Sequence, residues 1–409
     1  MMNGRKRIRL GDVILTNNES YSPKEEWSYV NYLDTGSITE SSIVEIQRID
    51  LNAEKLPSRA RRKVKYNSII YSTVRPNQRH FGIIKELPEN FLVSTGFVVI
   101  DVCQEMVDAD YLYFWLSQES IVELLHAIAE QSVSTYPSIK ALDIENLEID
   151  LPPIEEQKKI ASILVELREK IAHNVAINDN LEQQALAFFK QFFMDYAPYG
   201  GIAPTDWNEV SLDDVCFKIT DGSHYSPADS PDSPYPMYSV KDMETYGFNP
   251  SSCKHITEEE FHKMQKNDCV PLLNDILVAK DGSYLKEIFI CSEQKDEAIL
   301  SSIAIFRPNT DIIIPEILLY LLKQPTVRRD VGDNYVSGSA LPRIVLKDFK
   351  KYRFMLPPMK EQQKIGSVLH TIRMQTKANI DEMHNLSSLR DALLPRLMSG
   401  ELDVSALDL

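Results

Sequence analysis

The chain has 409 residues, 43% of them hydrophobic, five cysteines and a formal net charge of −16. Such a length can bury more than one core and points to two or three domains, while the acidic balance argues against a simple sequence-independent nucleic-acid binder, whose phosphate contacts rest on Lys and Arg. No apolar run approaches the roughly 20 residues of a membrane span, and the basic start Arg5–Arg9 leads into too short an apolar stretch for a signal peptide, so a cytoplasmic, soluble protein without membrane contact is expected.

In chain order, residues 1–100 hold 15 Lys or Arg against 11 Asp or Glu, clustered at Arg5–Arg9, Ser58–Lys65 and Arg75–His80. Short Val, Ile, Tyr and Phe runs punctuated by Gly, Pro, Asn and Asp predict strands and turns here. NSIIYSTVRPNQRHFGII, with apolar runs flanking Arg75–His80, reads as a β-hairpin with a polar tip. ADYLYFWLSQESIVELLHAIAE then repeats apolar residues at three to four positions, which predicts helix.

LPPIEEQKKIASIL begins at Leu151 and returns as LPPMKEQQKIGSVL at Leu356, with nine of fourteen positions identical at an offset of 205. The same offset pairs Ser134 with Ser339, Pro137 with Pro342 and Ile139 with Ile344. Looser echoes join DVILTNNESYSP from Asp12 to DVCFKITDGSHYSP from Asp214, so the chain reads as a duplicated domain pair. Leu-Pro-Pro forces an extended lead-in, Pro153 and Pro358 suit a first helical turn, and Glu155, Glu156 and Glu361 favour the positive end of the helix dipole.

Behind each motif runs a stripe spaced alternately by four and three, a heptad seam. It reads Ile160, Leu164, Leu167, Ile171, Asn174, Asn178, Leu181, Ala185, Phe188 and Phe192 in the first copy. The second copy reads Ile365, Leu369, Ile372, Thr376, Asn379, Met383, Leu386, Arg390, Leu393 and Leu397. Two matched helices can bury their stripes against each other, and both carry an asparagine at the equivalent seam position, Asn174 and Asn379.

The Pro- and Gly-rich DYAPYGGIAPTDW marks a linker between the copies. After it, residues 206–300 carry 19 acids and eight bases, and NDILVAKDGSYLKEIFI places Lys280–Lys286 at a second hairpin tip. The fold class is therefore α+β: globular domains at 1–150 and 206–355, a linker at 198–205, and a coiled-coil pair formed by helices at 151–197 and 356–409, as an internal pseudo-two-fold repeat.

No catalytic machinery is legible. Glu156-Gln157-Lys158 becomes Glu361-Gln362-Gln363 in the second copy, unlike a nuclease carboxylate–lysine site. There is no Gly-rich cofactor loop, no Asn-Pro-Pro-aromatic loop and no P-loop. His224, His255 and His262 lack metal-site spacing, and Cys103, Cys216, Cys253, Cys269 and Cys291 lack CxxC pairs, so reduced and mostly buried thiols are expected. The chain reads as non-enzymatic, with no cofactor and no metal.

The repeated LPPxxEQxxI with its helix, together with LEQQALAFFKQFFMDY and LRDALLPRLMSGELDV closing the two helices, resembles the specificity subunits of type I restriction-modification systems across essentially the full length. That resemblance implies two target-recognition domains, each reading half of a split sequence in double-stranded DNA. It also implies helices that pack antiparallel as a spacer, where Asn174 and Asn379 would meet to fix the register, and that hold two methyltransferase subunits, with restriction subunits joining through these. A different class, a non-catalytic coiled-coil scaffold with two protein-binding ends, fits the acidic second half.

If DNA is the partner, base-edge readers must be Arg, Lys, Asn, Gln or Ser on an element that enters a groove. The hairpin tips supply Arg75, Asn77, Gln78, Arg79 and His80 in the first copy and Lys280, Ser283, Tyr284 and Lys286 in the second, with a bidentate guanine contact expected from Arg75 or Arg79. Arg59, Arg61, Arg62, Lys63 and Lys65 suit phosphate neutralisation, as do Arg328, Arg329 and Arg343. Ser223 and His224 form a further polar loop at the start of the second domain.

Overall fold

Strands and helices recur twice along the chain in one order, and the computed structural model describes them over residues 4–131, 137–338, 340–405 and 407. Ser134 and Ser339 lie outside those residues. The chain divides into two units, Met1–Asn174 with Asp381–Leu409, and Val175–Ile380. Each unit therefore owns one globular part and a segment of both long helices.

In the first unit, strand Phe97–Val102 lies between Ile14–Thr16 and Ile69–Ser72, and Phe81–Ile83 completes an antiparallel sheet of four. Its β-branched FVVI run is buried, as a strand flanked on both sides requires. A second sheet runs in the order Gln47–Asp50, Tyr29–Leu33, Phe91–Ser94, Ala60–Lys63, and its Tyr29–Leu33 and Phe91–Ser94 strands are parallel. Lys6–Arg9 pairs with Glu148–Leu151 just ahead of the first Leu-Pro-Pro helix. Helix Ala109–Ser117 is capped by Asp108, whose side chain accepts from the Tyr111 amide at 2.9 Å.

The second unit repeats this topology with one strand fewer in its second sheet. Ile303–Pro308 lies between Cys216–Asp221 and Ile276–Ala279, with Ile288–Ile290 outermost. Lys254–Ile256, Tyr235–Tyr238 and Ala298–Ile299 form the second sheet, again with one parallel pair. Asn208–Ser211 pairs with Arg353–Leu356 ahead of the second Leu-Pro-Pro helix. Both hairpins read from the sequence are present, as Ile69–Ser72 with Phe81–Ile83 and as Ile276–Ala279 with Ile288–Ile290.

The central helix spans Ile154–Phe193 and the distal helix Met359–Ser399. In the first unit, Ile160 and Leu164 share a core with Leu393 and Leu397. In the second, Ala185, Phe189 and Phe193 share one with Ile365, Leu369 and Ile372. Within each unit the helix segments thus run antiparallel. Two details depart from the heptad reading. Beyond Ala185 the buried stripe continues through Phe189 and Phe193, not Phe188 and Phe192, because a helix of 3.6 residues per turn drifts against a strict 3.5 repeat. The expected pairing of Asn174 with Asn379 is also corrected: Asn379 donates to Asn178 at 2.7 Å, and Asn174 donates to Glu382 at 2.7 Å. In the second unit, the antiparallel segments that put Ala185 and Ile372 in one core set Asn379 opposite Asn178.

The segment after the central helix is held by aromatic packing. Phe193, Tyr196 and Tyr199 surround Trp207 with ring centroids 5.4, 5.7 and 5.6 Å away. The distal helix ends at Gly400, whose φ of +78° suits a glycine cap, and Arg5 donates there to the Met398 carbonyl at 2.5 Å. All five cysteines are free. Only Cys269 and Cys291 are buried, whereas Cys216 and Cys253 are half-buried and Cys103 is exposed, so the expectation of mostly buried thiols holds for two.

Candidate nucleic-acid interface

The repeated Pro-x-Ile makes an isolated backbone bridge to each hairpin tip. In the first unit the Arg75 amide donates to the Pro137 carbonyl at 3.1 Å and the Ile139 amide to the Thr73 carbonyl at 2.8 Å. In the second, Gly282 donates to Pro342 at 2.7 Å and Ile344 to Lys280 at 3.0 Å. The same pair of backbone hydrogen bonds thus recurs at Pro137 and Ile139 and at Pro342 and Ile344.

At the first tip, Arg75 and Arg79 are both in the left-handed region and bracket the 3-10 turn Pro76–Gln78. Arg75, Asn77 and Gln78 are exposed while Pro76 is buried, so the turn presents three polar side chains. Arg79 faces the other way. Its guanidinium pairs with Glu40 at 2.7 Å and with Glu119, and His80 Nδ1 lies 2.7 Å from the Ile38 carbonyl oxygen. Arg79 and His80 thus clamp the tip to its own domain.

The basic run Arg59–Lys65 lies beside this tip through the backbone. The Thr95 amide donates to the Arg59 carbonyl at 2.8 Å, and the adjoining Gly96 carbonyl accepts from the Thr73 amide at 2.8 Å. Within the run, strand alternation separates the roles. Arg59 and Arg61 are exposed, Arg62 is half-buried, and burial lowers its pKa. Lys63 pairs with Glu25 at 2.5 Å and Lys65 with Glu19 at 2.6 Å. Pairs this exposed hold weakly, because water screens both charges.

The second tip differs in chemistry. Lys280 is buried and pairs with Asp221 at 2.6 Å, which corrects its expected exposure: it closes the sheet-facing end of the tip, and an isolated ammonium would not be stable there. Ser223 is also buried and donates to the Tyr225 carbonyl at 2.7 Å. Tyr284 is half-buried, and a Cβ at Gly332 would come within 2.5 Å of its hydroxyl. The exposed candidates are His224, Ser283, Lys286, Arg328, Arg329 and Arg343. Lys347 and Lys350, unnamed in the sequence reading as readers, line an open groove of about 340 Å³ with Thr220, Asp221, Lys280 and Leu346.

Sequence reasoning also missed the residues that fasten these domains to the helices. Gln157 is buried; its amide nitrogen donates to the carbonyls of Pro152 at 2.9 Å and Met106 at 3.0 Å, and its oxygen accepts from the Asp108 amide at 3.0 Å. Gln362 makes the same three bonds, to Pro357 at 2.9 Å, Ile312 at 2.9 Å and the Ile314 amide at 3.1 Å. A second repeated tie joins Arg168 to Asp110 at 3.3 Å and Arg373 to Glu316 at 3.0 Å. Identity of Gln157 and Gln362 at the 205 offset was the available signal.

The family model described as the type I restriction modification DNA specificity domain matches residues 2–183 and 204–382. The chain is 24% identical to the type I restriction enzyme HindI specificity subunit of Haemophilus influenzae, across 98% of this chain and 100% of that one. It is 25% identical to the MjaIX specificity subunit of Methanocaldococcus jannaschii, across 98% and 94%. The crystal structure of the type I restriction-modification system S subunit from M. genitalium aligns over 97% of this chain and 96% of its own, with a TM-score of 0.58 and 14% identity, a likeness of fold.

Proposed function

Because this chain belongs to the family of type I restriction-modification DNA specificity proteins, we propose that it is the subunit that reads a bipartite target in double-stranded DNA, one half-site per unit. The observation that carries this reading is the duplicated hairpin tip. One topology twice presents a polar, cation-bearing edge, with Arg59, Arg61, Arg75, Asn77 and Gln78 in the first copy and Arg343, Lys347 and Lys350 in the second. The side chains differ between copies while the backbone frame is kept, which suits two readers of unlike sequence. In this reading residues 1–150 and 206–355 are the target-recognition domains, and the helices at 151–197 and 356–409 set their spacing.

The long helices also scaffold the partners in this proposal: two methyltransferase subunits, with restriction subunits attached through them. The duplication supports two copies of one partner, since each repeat offers the same helix start. Chemistry is left to those partners. With a net charge of −16, the chain needs local cations and partner contacts to hold a polyanion. Selection of bound duplexes from a random pool by the chain assembled with its methyltransferase subunits tests the proposal. Two specific half-sites around an unread spacer are expected, and a continuous target or none at all refutes it. Four residues inserted near Asn178, about 6 Å of helix, should lengthen that spacer by roughly one or two base pairs with both half-sites retained.

A further inference from the structure

We propose that Gln157 and Gln362 are positioning residues that fix the aim of each recognition domain on its long helix, and thereby the tolerance of the complex for spacer length. The inference rests on the DNA-reading proposal above. Apolar packing joins domain to helix in each unit, but dispersion and the hydrophobic effect are not directional and allow a domain to rock. Hydrogen bonds with defined donors and acceptors do not.

The placement of each glutamine fits that role. It lies in the first turn of its helix, 1% exposed for Gln157 and 2% for Gln362. One donation, to the carbonyl of Pro152 or Pro357, ties the side chain to the chain leading into the helix. The other bonds hold the short segment from the sheet to the next helix: Met106 and Asp108 precede helix Ala109–Ser117, and Ile312 and Ile314 precede helix Pro315–Leu322. Both N–H groups and the oxygen of the amide are used, so no rotated or shifted domain keeps the set. A carboxylate at the same position could still accept from Asp108 but would face two carbonyls it cannot bond.

The test uses the full chain with its methyltransferase subunits and three variants, Gln157→Met, Gln157→Glu and Gln362→Met. Bound duplexes are selected and their spacers counted, and amide hydrogen exchange is read at Asp108 and Ile314. Gln157→Met should speed exchange at Asp108 at least tenfold and leave Ile314 unchanged, with Gln362→Met giving the reverse. Both Met variants should widen the spacer distribution by about one base pair on either side without changing either half-site. Gln157→Glu should keep the Asp108 amide protected, through its remaining acceptor, yet widen the spacer. A single spacer length in folded, DNA-binding variants overturns the proposal, as does altered base preference within a half-site. Loss of folding in all three assigns the glutamines to stability alone and overturns it too. The exchange readout needs no DNA: faster exchange at the predicted amide, in a protein whose wild type selects no bipartite site, locates the failure in the DNA reading.

Discussion

Asn379 donates its amide hydrogen to the side-chain oxygen of Asn178 at 2.7 Å, inside the paired helices of the second unit. Gln375 donates in turn to the Asn379 oxygen at 2.9 Å, so a short chain of polar side chains leads into the bond between the helices. Replacing Asn379 by Leu leaves Asn178 buried without its donor and should cost about 1–3 kcal/mol. The double replacement of Asn178 and Asn379 by Leu should recover most of that loss, because removing both partners of a buried polar pair is often close to neutral. Urea midpoints for the two singles and the double, compared as a cycle, decide it; additive losses would mean that the asparagines are not coupled.

Arg75 and Arg79 stand four residues apart and should respond oppositely to truncation. Arg75→Ala should weaken binding of one half-site by about 1–3 kcal/mol. Arg79→Ala strands Glu40 and Glu119 at the base of the tip and should lower stability by about 1 kcal/mol. Thermal melts beside binding isotherms on duplexes altered in one half separate the two effects.

In the second unit the same contrast falls on lysines. Lys347→Ala and Lys350→Ala should each reduce the slope of log affinity against log salt by about one, as expected for a lost phosphate contact. Lys280→Met should cost about 3 kcal/mol in folding, since it leaves Asp221 beside an apolar sheet end without its ammonium. Salt titrations of binding and urea titrations of folding measure these independently.

Gly222 sits where the strand Cys216–Asp221 turns beneath Ile299, and a Cβ there would press into the Ile299 and Leu300 carbonyl oxygens. Gly222→Ala should destabilise the second unit by about 3 kcal/mol. Exchange protection in the strand Phe97–Val102 of the first unit should be unaffected, which a hydrogen-exchange map would reveal.

Much of this architecture is legible in the sequence because duplication repeats the signal. Leu-Pro-Pro followed by acids gives both helix starts by local rules, and the hairpins follow from apolar runs around polar tips. The helix register was missed by one turn because seam spacing states which residues face inward but not which residue of the partner each one meets. That depends on the tertiary anchors at the ends, such as Arg5 on Met398. Exposure at the tips was missed for the same kind of reason: Arg79 and Lys280 look like free cations until Glu40, Glu119 and Asp221 are brought in from distant sequence. Gln157 and Gln362 were in plain view within the repeated motif, but their partners Met106 and Ile312 are backbone groups, which no side-chain pattern announces.

The uneven burial of the five thiols gives the molecule a native chemical handle. Burial pushes the Cys216 thiol up to about 12 and raises Cys253, Cys269 and Cys291 as well, so few of these sulfurs are thiolate at neutral pH. Cys103 is exposed, three residues before the Met106 carbonyl that Gln157 holds. One equivalent of maleimide at pH 7 should therefore modify the peptide containing Cys103 before the others, as peptide mass spectrometry would register. A dye placed there without any substitution would sit beside the first domain's attachment and sense its rocking directly, while the second domain remained dark.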